Sequence, residues 1–395
     1  MTRVLSTLAV ENYRSLRRLV LPLRGLTVVT GANGSGKSSL YRALRLLADC
    51  ARNGAVAALA REGGLPSALW AGPETIGQAV REGRHPVQGT VRTRRVGLRL
   101  GFAGDGFGYA VDLGLPTPSA SAFALDPEIK CEAVWSGPVL RPAALLADRR
   151  AGAVRVREPS GAWRDSVGAV GPFDSMLSEY ADPLHAPDLA ALRDQIRSWR
   201  FYDQFRTDPG APARAARIGT RTPVLGHDGA DLPAALQTIT EVGDRPALDA
   251  AVEQAFPGSR VEVVAVAGRF ELALHQRGLL RPLSSAELSD GTLRFLLWVA
   301  ALLSPRPPAL FVLNEPETSL HPDLLPALAA LVLEASASTQ VVVVTHARPL
   351  VAALEAGAAD RGSDLQTVEL VKDLGETTVR GQGRFDSPPW QWPKR

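Results

Sequence analysis

The segment Gly31-Ala32-Asn33-Gly34-Ser35-Gly36-Lys37-Ser38 constrains this chain more than any other eight residues. It fits the pattern GxxxxGK[ST] and lies where that pattern has physical meaning. The short apolar run Leu26–Thr30 precedes it, and Lys37–Leu47, with apolar residues at helical spacing, follows it. Glycines let the backbone close around phosphates, whose charge is met by loop N–H groups and by the N-terminus of the next helix. Gly31, Asn33, Gly34, Ser35 and Gly36 are therefore the candidate loop. Lys37 is placed to reach the β- and γ-phosphates, the Ser38 hydroxyl to ligate Mg²⁺, and Ser39 to follow in the first helical turn. ATP and Mg²⁺ are the expected ligands.

Around this loop the pattern divides into three stretches. Residues 1–50 read as β-rich runs at Val4–Val10 and Leu19–Leu23, with polar Glu11–Arg18 between them, then the strand, loop and helix above. Residues 51–256 are rich in Gly and Pro. They predict strands at Val91–Phe102 and Phe107–Leu113 and helices at Asp188–Trp199, Leu232–Val242 and Ala247–Phe256, which is an α+β insertion lobe. Residues 257–395 begin with a hairpin, Val261–Ala267 and Phe270–His275. Helix Ser289–Leu303, strand Ala309–Leu313, helix Pro322–Ala335 and strand Gln340–Thr345 follow, then small strands at Gln366–Lys372 and Thr377–Arg380. Short apolar runs alternating with helices predict an α/β fold with a mainly parallel core sheet.

Three further motifs carry chemistry. Ala309–Leu313 leads into Asn314-Glu315-Pro316-Glu317, an apolar strand followed by a carboxylate, as in a Walker B strand. Glu315 is the candidate to polarise an attacking water. Asn314 stands where an aspartate normally meets Mg-bound water; its amide oxygen can accept, but it brings no charge. Leu288-Ser289-Asp290-Gly291-Thr292 opens a helix, and both Ser289 and Asp290 are good capping residues. Thr345-His346 ends the last apolar strand, where a histidine can be structural or can face a phosphate.

Taken in this order the motifs resemble the RecF/SMC-like branch of ABC ATPases, and within it the stand-alone ATPases of the AAA_21 type. Leu288–Thr292 is similar to the signature LSGGQ. Val10-Glu11-Asn12-Tyr13-Arg14-Ser15-Leu16 resembles the F-R-S-F opening of those heads, and Asn314–Pro322 is the most specific match. The resemblance is carried by residues 1–50 and 283–350. It implies a P-loop NTPase of ABC-type head architecture, with an antiparallel β subdomain beside the parallel core. It further implies that His346 is the switch histidine at the γ-phosphate, and that Ser289 and Gly291 contact the γ-phosphate held by a second copy. His321 would then lie in an interface loop, and ATP would close a homodimer. Family members act on DNA, many in repair or anti-phage defence, so DNA is an implied partner, and an effector protein is the partner of the alternative reading. An ATP-gated scaffold with little hydrolysis is the alternative, because Asn314 weakens the metal site. Gln88 is a candidate Q-loop residue, and Tyr13 and Arg14 are candidates near the base or phosphates.

Composition narrows the partners only modestly. Net charge is +3 over 395 residues, yet 44 residues are basic and lysine is confined to Lys37, Lys130, Lys372 and Lys394. Arginines gather at Arg92–Arg99, Arg149–Arg157 and Arg206–Arg221, where they could track a phosphate backbone or pair with local acids. Two cysteines without metal-ligand spacing argue against a disulfide framework or zinc site. The most apolar runs are far below the ~20 residues that span a bilayer, so a soluble, cytoplasmic protein without a membrane partner is expected. The absence of an acidic cluster after His346 predicts no attached nuclease.

Overall fold

A computed structural model describes residues 3–52, 54–74, 80, 84, 97–118, 120–158, 160–165, 168–383 and 386–395. Its strands in chain order are β1 (Thr7–Tyr13), β2 (Leu16–Pro22), β3 (Leu26–Gly31), β4 (Leu98–Ala103), β5 (Phe107–Gly114), β6 (Glu128–Ser136), β7 (Leu145–Arg150), β8 (Ala153–Arg157) and β9 (Trp163–Asp165). They continue as β10 (Arg200–Tyr202), β11 (Arg217–Ile218), β12 (Arg260–Val266), β13 (Arg269–His275), β14 (Leu283–Ser284), β15 (Leu310–Asn314), β16 (Gln340–Val344), β17 (Leu365–Asp373) and β18 (Glu376–Val379). The chain divides into two compact units, one made of residues 25–29 and 200–367, the other of residues 3–24, 30–199 and 368–395.

In the first unit, β10, β15, β16 and β3 lie side by side and parallel, with Tyr202 opposite Leu313, Val312 opposite Val342, and Val344 opposite Val29. Phe311, Val312, Leu313, Val341, Val342 and Val343 are all fully buried, as continuous apolar strands of a parallel sheet must be. Helices Leu232–Val242, Asp290–Leu302, Leu325–Ser336 and Arg348–Arg361 join these strands in one core. Every residue from Leu293 to Leu302 is buried, Arg294 being the one charged residue among them, so helix Asp290–Leu302 lies within the core. Gly357, in the middle of the last helix, sits where a Cβ would come 2.5 Å from Leu333 Cδ1, so glycine permits the close approach of two helices. This sheet delivers Asp203, Asn314-Glu315 and Thr345-His346 to the C-terminal ends of adjacent parallel strands, where open α/β sheets bind ligands.

The second unit holds an antiparallel sheet in the order β2-β1-β4-β5-β6-β7-β8-β9, the β17–β18 hairpin, and the helix Lys37–Cys50. A fully buried ion pair braces it: Arg149 Nη1 donates to Glu132 Oε2 at 3.1 Å. Glu132 also accepts from Tyr109 Oη at 2.6 Å, Ser175 Oγ at 2.5 Å and Met176 N at 2.8 Å, and Arg149 donates to the carbonyls of Ala151 and Gly171. Removing one partner of such a pair leaves the other charge buried and uncompensated. Arg149→Met is expected to destabilise the protein by about 3 kcal/mol, with Arg149→Met/Glu132→Gln recovering part of the loss. Urea unfolding of the three proteins measures this, and a single variant as stable as the parent would contradict it.

The predicted strand–helix order of residues 257–350 holds to within a few residues, and helix Leu232–Val242 has the expected ends. The expected 3.6-period start at Pro322 is instead a 3₁₀ turn, Pro322–Leu324, before helix Leu325–Ser336. Glu11–Arg18 is not a polar linker: β1 and β2 run through it and meet with Tyr13 opposite Leu16. Arg14, at φ 50°, and Ser15 make the turn, Asn12 takes a positive φ of 67° within β1, and the polar residues of this stretch flank the buried Tyr13 and Leu16. Strands β6 to β9 and helix Arg348–Arg361 were not expected. The boundaries read at 50/51 and 256/257 do not coincide with the two units, because β10 joins residues 200 onward to the parallel sheet. Gln88 and Arg92, Arg94 and Arg95 lie outside the described residues.

Candidate functional site

Candidate functional side chains lie in each unit, and the glycine-rich loop belongs to the second. Gly31, Gly34 and Gly36 take φ of 146°, 78° and 108°, all in the region that favours glycine. A Cβ on Gly31 would lie 2.4 Å from Leu370 O, and one on Gly36 would lie 2.2 Å from Thr377 Oγ1. The β17–β18 hairpin thus clasps the loop from outside: Thr377 Oγ1 donates to Ser35 O and lies 2.8 Å from Ser15 Oγ. Lys37 folds back over the loop, buried, with Nζ donating to Gly31 O at 2.7 Å and Ala32 O at 3.1 Å. The helix behind it, Lys37–Cys50, has no side-chain cap and no acidic residue in its first turn. Ser35 Oγ is buried and has no hydrogen-bond partner among the described residues. Open N–H groups, a centred cation and an orphaned hydroxyl suit an anionic phosphate group.

In the first unit, Glu315 follows β15 at φ 49°, an uncommon conformation for a side-chain-bearing residue, held by Glu315 N donating to Val344 O at 2.7 Å. Its carboxylate is partly exposed, and Oε1 lies 3.4 Å from His346 Nδ1. Asn314 Nδ2 donates to Asp203 Oδ1 at 2.8 Å. Glu317, which sequence reasoning passed over, is buried. Its Oε1 accepts from Thr345 Oγ1 at 2.5 Å, His346 N at 3.2 Å and Ala347 N at 3.3 Å, and lies 3.5 Å from His346 Nδ1. One carboxylate therefore shapes the turn that presents His346, while a second sits beside its ring. Asn314 and Asp203 bring together oxygens of the kind that a hard divalent cation takes.

Ser289 caps helix Asp290–Leu302, its Oγ accepting from Thr292 N at 3.1 Å, so the capping account of this motif is met. The motif is also held in place: Arg214 donates to the carbonyls of Ser285, Ala286 and Leu288 and to Asp290 Oδ1. Gly291 lies where a Cβ would be 3.5 Å from Ser319 O, and Arg294 Nη1 donates to Thr318 O at 2.7 Å. The signature-like turn and the loop Thr318–His321 are thus neighbours. His321 is largely exposed and caps the turn Pro322–Leu324.

Many of the clustered arginines have structural work. Arg149 and Arg214 are held as above, Arg99 bonds Asp112 and Glu11, Arg155 and Arg150 share Asp148, and Arg206 pairs with Asp208. Tyr13 and Arg14 both bind Glu62, with Tyr13 Oη at 2.7 Å and Arg14 Nη2 at 2.7 Å. Burial and the Glu62 carboxylate hold the Tyr13 hydroxyl well above the usual tyrosine range. Among the described residues no group of three or more His, Cys, Asp or Glu could hold a metal on its own, and no helix is long and apolar enough to cross a membrane.

Residues 26–353 match the family model AAA_21, described as "AAA domain, putative AbiEii toxin, Type IV TA system". The chain belongs to the AAA_21 family. No curated protein matches the sequence. Among solved structures, an SMC head bound to the C-winged helix domain of ScpA is similar at 12% identity and a TM-score of 0.51, covering 95% of this chain and 97% of that one. The SMC head from Pyrococcus furiosus with an extended coiled coil, bound to the C-terminal domain of ScpA, gives 12% identity and a TM-score of 0.49, covering 96% of each chain. The SMC head domain from Thermotoga maritima gives 14% and 0.43, covering 95% of this chain and 97% of that one. The first of these shows the fold. This AAA_21 protein has the P-loop architecture of an ABC-type, SMC-like ATPase head, as its motif order implied.

Proposed function

We propose that this chain binds Mg-ATP and hydrolyses it. The loop Gly31–Ser38 receives the phosphates, and Ser38 and Asn314 serve the metal, the latter through a bound water. Glu315 polarises the attacking water, and His346 hydrogen-bonds the γ-phosphate. The observation that carries the reading is Glu315 itself: a carboxylate held at positive φ, hydrogen-bonded through its backbone to the end of β16, beside a histidine ring. Strained backbone held by its surroundings is characteristic of functional positions. Ser289 caps the helix that Gly291 helps to open, and both await the γ-phosphate of a second copy, so the competent enzyme is a homodimer closed by ATP.

We place this ATPase in repair or anti-phage defence, acting on DNA or an effector protein. Its family's description names a toxin and a type IV TA system, which favours the defence setting. The many arginines already bound to acids and carbonyls favour an effector protein over DNA. A slow, ATP-gated scaffold is the second reading, favoured by the amide at Asn314.

Steady-state ATP hydrolysis measured against protein concentration, with Lys37→Ala as the blank, separates these. A rate per subunit that rises with concentration is the expected result and means a shared active site. ATP binding without turnover above the blank would replace the enzyme by the scaffold, and a concentration-independent rate would remove the dimer.

A further inference from the structure

The end of β15 presents an amide where metal-bound water is better met by a carboxylate, and the end of the adjacent strand presents a carboxylate. We propose that Asp203 belongs to the metal site and supplies the negative charge that Asn314 lacks. The inference rests on the Mg-ATP reading and deepens it. β10 and β15 are parallel with Tyr202 opposite Leu313, so Asp203 and Asn314 are the next pair beyond the paired strands, at their C-terminal ends. Asn314 Nδ2 donates to Asp203 Oδ1 at 2.8 Å.

This bond has two consequences. It uses the donor side of the amide, which orients the Asn314 carbonyl oxygen as the acceptor that a water on a hard cation requires. It also places a full charge one hydrogen bond behind that acceptor, and partners of this kind tune metal ligands strongly. The charge is not neutralised locally. Asp203 is exposed and forms no ion pair among the described residues, whereas Asp148, Asp208 and Asp112 each face an arginine. A clasp that merely joined two strand ends would serve as well with two neutral amides, and it would leave metal affinity untouched.

Mn²⁺ stands in for Mg²⁺ in the test, its binding in the presence of ATP read by electron paramagnetic resonance on the full chain. Asp203→Asn keeps the size and a hydrogen-bond acceptor. It is expected to weaken Mn²⁺ binding about tenfold while leaving metal-free ATP binding and the melting temperature as in the parent. Asp203→Asn/Asn314→Asp returns one carboxylate to the pair and is expected to recover affinity to within about threefold of the parent. Unchanged Mn²⁺ binding in Asp203→Asn overturns the inference. So does a double variant as weak as the single one, or an effect seen only as a lower melting temperature. If the parent takes up no more Mn²⁺ with ATP than Lys37→Ala does, the Mg-ATP reading itself fails and this inference falls with it.

Discussion

Replacing Lys37 with alanine is expected to abolish nucleotide binding, and hydrolysis with it. Lys37 is the one cation inside the loop, and its Nζ already donates to Gly31 O and Ala32 O, so it is positioned before any ligand arrives. Hydrogen bonds to charged groups contribute about 1.5–3 kcal/mol each, and two such bonds to phosphate oxygens correspond to roughly 10²–10⁴-fold in affinity. Besides those two bonds, the loop is held by Thr377, which donates to Ser35 O from the β17–β18 hairpin, and by glycines at the positive φ values it requires. The melting temperature without ATP should therefore stay close to the parent's, and the rise that ATP produces in the parent should vanish. Lys37→Arg is expected to recover little, because a planar fork cannot take the place of a compact ammonium in so tight a turn. Calorimetric titration with ATP measures the effect. An alanine variant within threefold of parental affinity would mean that the phosphates bind elsewhere.

How much of this was legible in the sequence depends on how local each feature is. The phosphate loop depends on consecutive residues between one strand and one helix, so its glycines read directly, and the same holds for Ser289 as a helix cap. Helix Leu232–Val242 and the β12–β13 hairpin read well because their apolar periods and turn residues sit within a dozen positions. Strand β6 did not: its centre carries Glu132, a fully buried carboxylate whose partners Tyr109, Arg149 and Ser175 come from other segments, so no alternation marks it. Helix Arg348–Arg361 was masked by Gly357, which weakens helix propensity and is explained only by the approach of Leu333. Asp203 and Glu317 illustrate the same limit at the site. Asp203 meets Asn314 through the register of two parallel strands more than a hundred residues apart in sequence. Glu317 meets Thr345, His346 and Ala347 because the turns after two adjacent strands converge. Neither pairing has a sequence period to betray it.

Two carboxylates stand after β15, and separating them is the most decisive step for mechanism. Glu315→Gln is expected to lower kcat by roughly 10²–10⁴, the usual contribution of a positioned general base, with ATP affinity preserved. Glutamine matches glutamate in shape and can adopt the same φ of 49°, and the bond from residue 315 N to Val344 O needs no side chain, so the fold should be unaffected. With hydrolysis stopped and binding intact, ATP should hold the closed dimer, visible by light scattering as a doubled mass that persists as long as ATP is present. Glu317→Gln should behave differently. Its Oε1 accepts three hydrogen bonds from the turn that carries His346, and a glutamine carbonyl can still accept them, so activity should fall by less than tenfold. The order of the two effects is the test. Were Glu317→Gln the inactive, dimer-trapping variant and Glu315→Gln nearly normal, the base would be the buried carboxylate beneath His346. The strain at Glu315 would then serve only to turn the chain.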